Sequence, residues 1–119
     1  MRMIEIDYEA QPPIDGYGPG GFRIGGTWYS GSVIVTAQGT MPFAGLNAEG
    51  FQPMIALASD IDVLLVGMGS DIAPLEPNLR ESLENAGIGV EIMSTSSACR
   101  TYNVLLNEDR RVAAALVAV

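Results

Sequence analysis

Asp62-Val63-Leu64-Leu65-Val66-Gly67 is a short continuous apolar run that ends in glycine, the pattern of a strand buried on both faces in a parallel sheet. The segment after it is punctuated as a helix. Pro77 sits near the start, Leu79, Leu83 and Ala86 share one face, and Gly87 can supply the left-handed cap. Ile88 is then placed to pack back on Leu83. A second buried strand over residues 88–93 runs into the hydroxyl-rich turn Ser94-Thr95-Ser96-Ser97, whose first members can cap another helix. That helix repeats apolar residues at Ala98, Tyr102, Leu105 and Leu106, the offsets of one face, and Glu108-Asp109 closes it. Residues 111–119 read as a final apolar strand, although the alanines among them also permit a helix.

Strand, helix, strand, helix is a βαβα unit. Parallel strands joined by a helix cross over right-handed, so Gly67 and Met93 are expected to open onto the same edge of one sheet. The first half of the chain reads as β structure and turns. Residues 1–7 alternate apolar and charged side chains like a strand, and residues 11–21 carry too many turn formers for a regular element. Residues 22–24 and 27–29 flank Gly25-Gly26, a two-residue hairpin turn. The returning strand is expected to continue through Thr36, with a bulge or bend at Gly31. Residues 37–50 read as a loop and residues 51–58 as a short helix, with Pro53 tolerable only near its first turn.

A chain of 119 residues fits a single domain, residues 1–119. Its hydrophobic share of 48% against 17% charged suits a packed core and argues against disorder. The net charge is −8, every basic residue is arginine, and histidine and lysine are absent. The commonest neutral-pH base and metal ligand is therefore missing, as is any Schiff-base or phosphate-binding lysine. Such an acidic chain would repel a nucleic-acid backbone. Cys99 is the only cysteine, so neither an internal disulfide nor a cysteine zinc site can form. The N-terminal residues lack the marks of a signal or transit peptide, and the longest apolar run, residues 112–119, is too short to span a bilayer. The expectation is a cytoplasmic protein with no metal and no cofactor.

Four places can carry chemistry. Gly67-Met68-Gly69-Ser70 follows a buried strand, where backbone amides and a helix dipole can hold an anion. Ile72 occupies the place of the third glycine of a dinucleotide fingerprint, while Glu91 lies near the spacing of a ribose-binding acid. A tight strand-to-helix turn explains the same residues. Ser94 and Thr95 belong beside that glycine turn by the crossover argument, and helix capping is the plainer explanation for them. Cys99 and Arg100 fall in the first turn of a helix, which would favour a thiolate, yet no histidine is present to act as base. Arg100, Asn103, Glu108, Arg110 and Arg111 form a polar cluster suited to a carboxylate, a phosphate or a partner protein, or to an Arg–Glu pair tying the last helix to the last strand. Trp28, Tyr29 and Met41-Pro42-Phe43 can make an interaction surface or pack the hairpin.

These residues together carry a resemblance. Residues 65–69 (Leu-Val-Gly-Met-Gly), 87–95 (Gly-Ile-Gly-Val-Glu-Ile-Met-Ser-Thr), 31–35 (Gly-Ser-Val-Ile-Val) and above all 98–106 (Ala-Cys-Arg-Thr-Tyr-Asn-Val-Leu-Leu), continuing through residues 108–116, resemble the family of mitochondrial complex I assembly factor 3 and its prokaryotic relatives. The resemblance covers nearly the whole chain. It implies a three-layer α/β fold with a central mixed sheet, a β-hairpin layer, helices, and a last strand antiparallel to its neighbours. It also implies an accessory role, since mitochondrial members assist assembly of the respiratory NADH dehydrogenase. No catalytic residues belong to the family pattern, and none are carried over. The chain departs from the pattern at Met41-Pro42-Phe43, where a tryptophan is often found, and at Ser94, where an acid is frequent.

Two classes of function follow as expectations, beside a third, a self-associating structural protein that exposed aromatics on the hairpin face in a symmetric contact would favour. One is a non-enzymatic assembly-type protein with a protein partner or a second copy of itself. The other is a small-ligand domain, or a minor enzyme, using the crevice between residues 67–70 and 94–95, with Arg100 or Asn103 orienting an anion.

Overall fold

The computed structural model describes residues 11–119, so the strand expected at residues 1–7 lies outside the described residues. In chain order the elements are β1 (Ile14–Gly18), β2 (Gly21–Ile24), β3 (Thr27–Ser30), β4 (Val33–Thr36), β5 (Gly39–Pro42), α1 (Ala48–Ala56), β6 (Val63–Gly67), α2 (Pro77–Asn85), β7 (Gly89–Met93), α3 (Thr95–Asn107) and β8 (Val112–Leu116), with a 3-10 turn at Ala58–Asp60. Strands β1-β2-β3 make a small antiparallel sheet. The larger sheet is mixed, in the order β5-β4-β8-β6-β7.

Three layers result. Val33, Val35, Val63, Leu65, Ala114 and Leu116 point from the large sheet toward α3 and the small sheet, meeting Ala98, Tyr102, Phe22 and Ile24. Ile34, Leu64, Val66, Ala113 and Ala115 point the other way, toward Phe51 and Met54 of α1 and Leu83 of α2. Strand β6 is buried throughout because it feeds both faces. Each of Leu64, Leu65 and Val66 contributes roughly 1.5–3 kcal/mol by leaving water.

The helices stop where the sequence punctuates them. Gly87 takes φ 94°, its N–H donates to Glu84 O at 3.0 Å, and Ile88 N–H donates to Leu83 O at 3.1 Å. That double bond pattern is a Schellman cap, and Ile88 and Leu83 share the same core cluster. The end of α3 repeats the motif without glycine. Asp109 takes φ 59°, its N–H reaches Leu106 O, and Arg110 N–H reaches Leu105 O, both at 3.1 Å.

Several expectations are corrected. The turn-rich stretch 11–21 contains β1, whose pairing with β2 shifts register between Ile14 and Gly16. The loop expected over residues 37–50 contains β5, paired antiparallel with β4. The returning hairpin strand does not run on to Thr36. It breaks at Gly31, φ 85°, and β4 enters the other sheet. Helix α1 begins three residues earlier than expected, where Asn47 Oδ1 accepts Gly50 N–H at 2.8 Å, so Pro53 is its sixth residue and lies beyond the first turn. Strand β7 is an edge strand with Glu91 exposed, not a buried one. Strand β8 lies at the centre of the sheet, antiparallel to β4 but parallel to β6, so only one of its neighbours runs opposite to it.

Candidate functional site

The crossover places Gly67 opposite Met93 in the β6–β7 register, and the two strand ends do open together. Beyond them the chain is knotted by hydrogen bonds. Met68 N–H donates to Met93 O, Thr95 N–H to Gly69 O, and Val117 N–H to Gly67 O, at 2.9, 2.8 and 2.9 Å. Thr95 is fully buried. Its hydroxyl accepts from Gly69 N–H at 2.9 Å and donates to Val117 O at 2.7 Å. Thr95 thus joins the ends of β6, β8 and the start of α3. Its one donor and one of its two acceptor lone pairs are used, and full burial keeps the hydroxyl from a ligand in the cleft.

Gly67 and Gly69 are needed for this closure. A Cβ on Gly67 would lie 2.9 Å from Thr95 Cα, and Gly69 adopts φ 105°. Met68 is half-buried and packs beneath, against the core that α1 and α2 cover. The helix that follows β6 cannot serve as an anion hook. Its first residue is Pro77, and its N-cap Glu76 turns its own carboxylate onto Asn78 N–H at 2.9 and 3.1 Å. A carboxylate already occupies that dipole. Glu91 sits mid-strand opposite Leu65, two residues short of the strand end.

A cleft of about 200 Å³ remains beside the knot, lined by Tyr17, Gly69, Ser70, Ser96 and Val119. Tyr17, Ser70 and Val119 are exposed. The volume falls below the roughly 300–1,000 Å³ of drug-sized ligand sites. Of the expected residues, Gly69 and Ser70 line it. Ser94, the α3 N-cap, accepts Ser97 N–H at 3.3 Å and donates to Ser97 Oγ at 3.2 Å. The exposed Arg100 Nη2 donates to Ser97 Oγ at 3.3 Å, so the guanidinium leans toward the α3 start without lining the cleft. Tyr17 arrives with β1 of the small sheet and Val119 with the segment after β8, where its C=O accepts Gly20 N–H at 2.8 Å, and no local pattern marks them.

Asn103 does not face the cleft. Its Oδ1 accepts Ile14 N–H at 2.9 Å and its Nδ2 donates to Ile14 O at 2.8 Å. The preceding residue, Tyr102, donates its Oη–H to Pro12 O at 2.9 Å. The pair straps the incoming chain and β1 onto α3. Burial pushes the Tyr102 phenol up to about 12, partly opposed by a hydrogen bond with Gln11.

Cys99 and Arg100 are the fifth and sixth residues of α3, past the first turn where a dipole would assist a thiolate. Burial pushes the Cys99 thiol up to about 11, and the Arg100 charge opposes this only in part. The expected Arg–Glu tie is also corrected. Arg111 grips Asp62, with Nη2 to Oδ1 at 2.7 Å and Nε to Oδ2 at 3.1 Å, while Nη1 donates to Ser59 O at 2.9 Å. The fork joins the approaches to β6 and β8, and its hydrogen bonds hold the Asp62 carboxyl below the usual range. Glu108 and Arg110 are exposed. On the hairpin, Tyr29 packs on the core, whereas Trp28 is 44% exposed on the opposite face. A Cβ on Gly21 would lie 2.6 Å from Trp28 Cζ2, so the indole lies across a position that only glycine leaves open. No group of three or more acids, cysteines or histidines that could hold a metal occurs among the described residues, and none of their helices is long and apolar enough to cross a membrane.

The chain is similar to known proteins in sequence and in fold. An uncharacterized protein of Rhodobacter capsulatus is 50% identical over 117 residues, covering 98% of this chain and 93% of that protein. The NADH dehydrogenase [ubiquinone] 1 alpha subcomplex assembly factor 3 of Xenopus tropicalis is 31% identical over 122 residues, covering 98% of this chain and 67% of its own length. The crystal structure of an outer membrane protein from Bartonella henselae superposes with a TM-score of 0.87 at 39% identity, covering 92% of this chain and 97% of the other. Residues 14–117 match the family described as Protein of unknown function (DUF498/DUF598), and the chain belongs to that family.

Proposed function

We propose that this chain is a non-enzymatic accessory protein that acts by protein–protein contact during assembly of a respiratory or membrane complex. The observation that carries the reading is its similarity, across 98% of its length, to an assembly factor of NADH dehydrogenase. The chemistry of the described residues supports it. The thiol is buried and protonated at neutral pH, and the polar groups of Thr95 and Asn103 are taken up inside the fold. Trp28 and Arg110 remain exposed for contact with a partner. The test is deletion of the gene in its source organism, followed by native electrophoresis of the membrane complexes. A specific loss of one assembled complex, restored by the intact gene, supports the reading. Unchanged complexes, together with turnover of a metabolite by the purified protein, overturn it.

A second reading rests on the cleft lined by Tyr17, Gly69, Ser70, Ser96 and Val119. It makes the chain a binder of a small polar ligand at the strand ends, with Arg100 bonded to Ser97, the residue after the lining Ser96. Native mass spectrometry of the untagged protein from its source tests it: a stoichiometric added mass of metabolite size supports the cleft, and a bare chain removes it.

A further inference from the structure

Each sheet has two outer strands, and an open strand edge invites another strand. In the large sheet both are guarded. Phe43 N–H donates to Ser32 O at 2.9 Å, so the alternation of the β4–β5 ladder turns Thr40 and Pro42 outward, and Pro42 has no N–H to offer. On the other side, Gly89 N–H points inward to Asp62 O, which turns Val90 outward. There Arg80 Nη2 donates to Val90 O at 3.1 Å, held by Glu84 at 3.1 Å. In the small sheet, β1 packs against α3 and has both main-chain groups of Ile14 bonded to Asn103.

Strand β3 has no such guard among the described residues. The Gly25-Gly26 turn and the Gly31 N–H to Gly20 O bond fix the β2–β3 ladder, so Thr27 and Tyr29 face β2 while Trp28 and Ser30 turn their N–H and C=O groups outward. Thr27, Trp28 and Ser30 are all exposed. The strand also carries no charge, in a chain whose net charge is −8.

The geometry points to β3 as a self-pairing edge, whose occupant is β3 of a second copy, antiparallel about a two-fold axis at Tyr29. This inference is independent of the assembly reading. The register sets Trp28 opposite Ser30 of the second copy and Ser30 opposite its Trp28. All the outward groups of both residues then pair, and no like charges face each other. Within one copy Trp28 Nε1 already donates to Ser30 Oγ at 3.2 Å, so the indole lies on the face that the two strands would share. Because the rest of each copy is acidic, association strengthens as salt shortens the screening length from about 30 Å at 0.01 M to about 3 Å at 1 M.

Sedimentation of the intact chain, from about 1 μM to about 1 mM, the span of weak interfaces, tests the inference together with the emission of its single tryptophan. The expected result is a twofold rise in mass, in step with a blue shift of Trp28, both moving to lower concentration in high salt. Trp28→Pro deletes an outward N–H without touching the β2 ladder, and its expected outcome is a monomer. Ser30→Glu keeps the outward backbone groups, replaces the hydroxyl that accepts the indole N–H, and adds an anion to each copy at the contact; it shifts the transition to higher concentration. Circular dichroism verifies that both variants fold. A monomer mass throughout overturns the inference and leaves the edge to a strand of a different protein. A dimer that both folded variants preserve overturns it equally.

Discussion

The side-chain amide of Asn103 satisfies both main-chain groups of Ile14, accepting its N–H at 2.9 Å and donating to its C=O at 2.8 Å. Asn103 thereby pairs with β1 as a neighbouring strand would. Asn103→Ala leaves two partly buried groups unpaired and is expected to destabilise by about 1–3 kcal/mol. Asn103→Asp keeps the acceptor and loses the donor, and should fall between. Urea midpoints of the three proteins check this.

The hydroxyl of Thr95 is the second such strap. Thr95→Val preserves shape but deprives Gly69 N–H and Val117 O of their partner, with an expected cost of about 2 kcal/mol. Thr95→Ser keeps both bonds and should lose only about 1 kcal/mol for its missing methyl. Hydrogen exchange at Gly69 distinguishes the two, accelerating in the valine variant only.

Gly67→Ala tests the closeness of the strand end to α3. A methyl 2.9 Å from Thr95 Cα forces backbone to move, and about 1–3 kcal/mol of destabilisation is expected. Gly16→Ala is the control, since nothing lies within 4 Å of that position. Thermal melts of both variants give the comparison.

At Asp109, φ is 59°, a conformation that a side chain disfavours and glycine does not. Asp109→Gly relieves roughly 1–2 kcal/mol of left-handed strain, offset in part by about 0.5–1 kcal/mol of chain entropy, and should stabilise on the order of 0.5–1 kcal/mol. A higher urea midpoint with an unchanged slope is the expected readout.

Alkaline pH should weaken the fold. The Cys99 thiol titrates at about 11 in the folded chain against 9.0 ordinarily, and the Tyr102 phenol at about 12 against 10.0. Between those values the unfolded chain loses protons that the folded chain keeps, so stability is complete below about pH 9 and falls as pH rises through 11 and 12. Cys99→Ala should flatten the first part of the fall. Stability measured from pH 7 to pH 11 decides it, and at pH 7 the native thiol should resist disulfide reagents until the chain unfolds.

What could be read from the chain divides along physical lines. Strand β6, helices α2 and α3 and their caps are legible because each needs a local pattern: a continuous apolar run, a 3.6-residue stripe, a left-handed cap. Strands β1 and β5 are not, because Ile-Asp-Gly-Tyr-Gly and Gly-Thr-Met-Pro become strands through their partners and not through their own side chains. The break at Gly31 is legible as a bend, but the change of sheet there is a tertiary event. At the candidate site, the meeting of Gly69 and Thr95 follows from crossover handedness alone. Tyr17 and Val119 do not, since Tyr17 arrives when the small sheet docks and Val119 when β8 inserts beside β6. Asn103 was readable as a polar residue on α3, whereas its bond to Ile14, 89 positions away, was not.

The central place of β8 in the large sheet reaches back to how the chain is made. The β4–β5 hairpin and the β6–α2–β7 unit pair with each other only through this strand, and its residues leave the ribosome after all of them. At about 5–20 residues per second, the gap between Met93 and Val112 lasts roughly 1–4 s. During that time the strand that mates the facing edges of β4 and β6 in the finished sheet is absent, and the two halves cannot be joined. Closure of the core is therefore a late, cooperative step, and those edges are the surfaces a chaperone bound at that stage would have to cover.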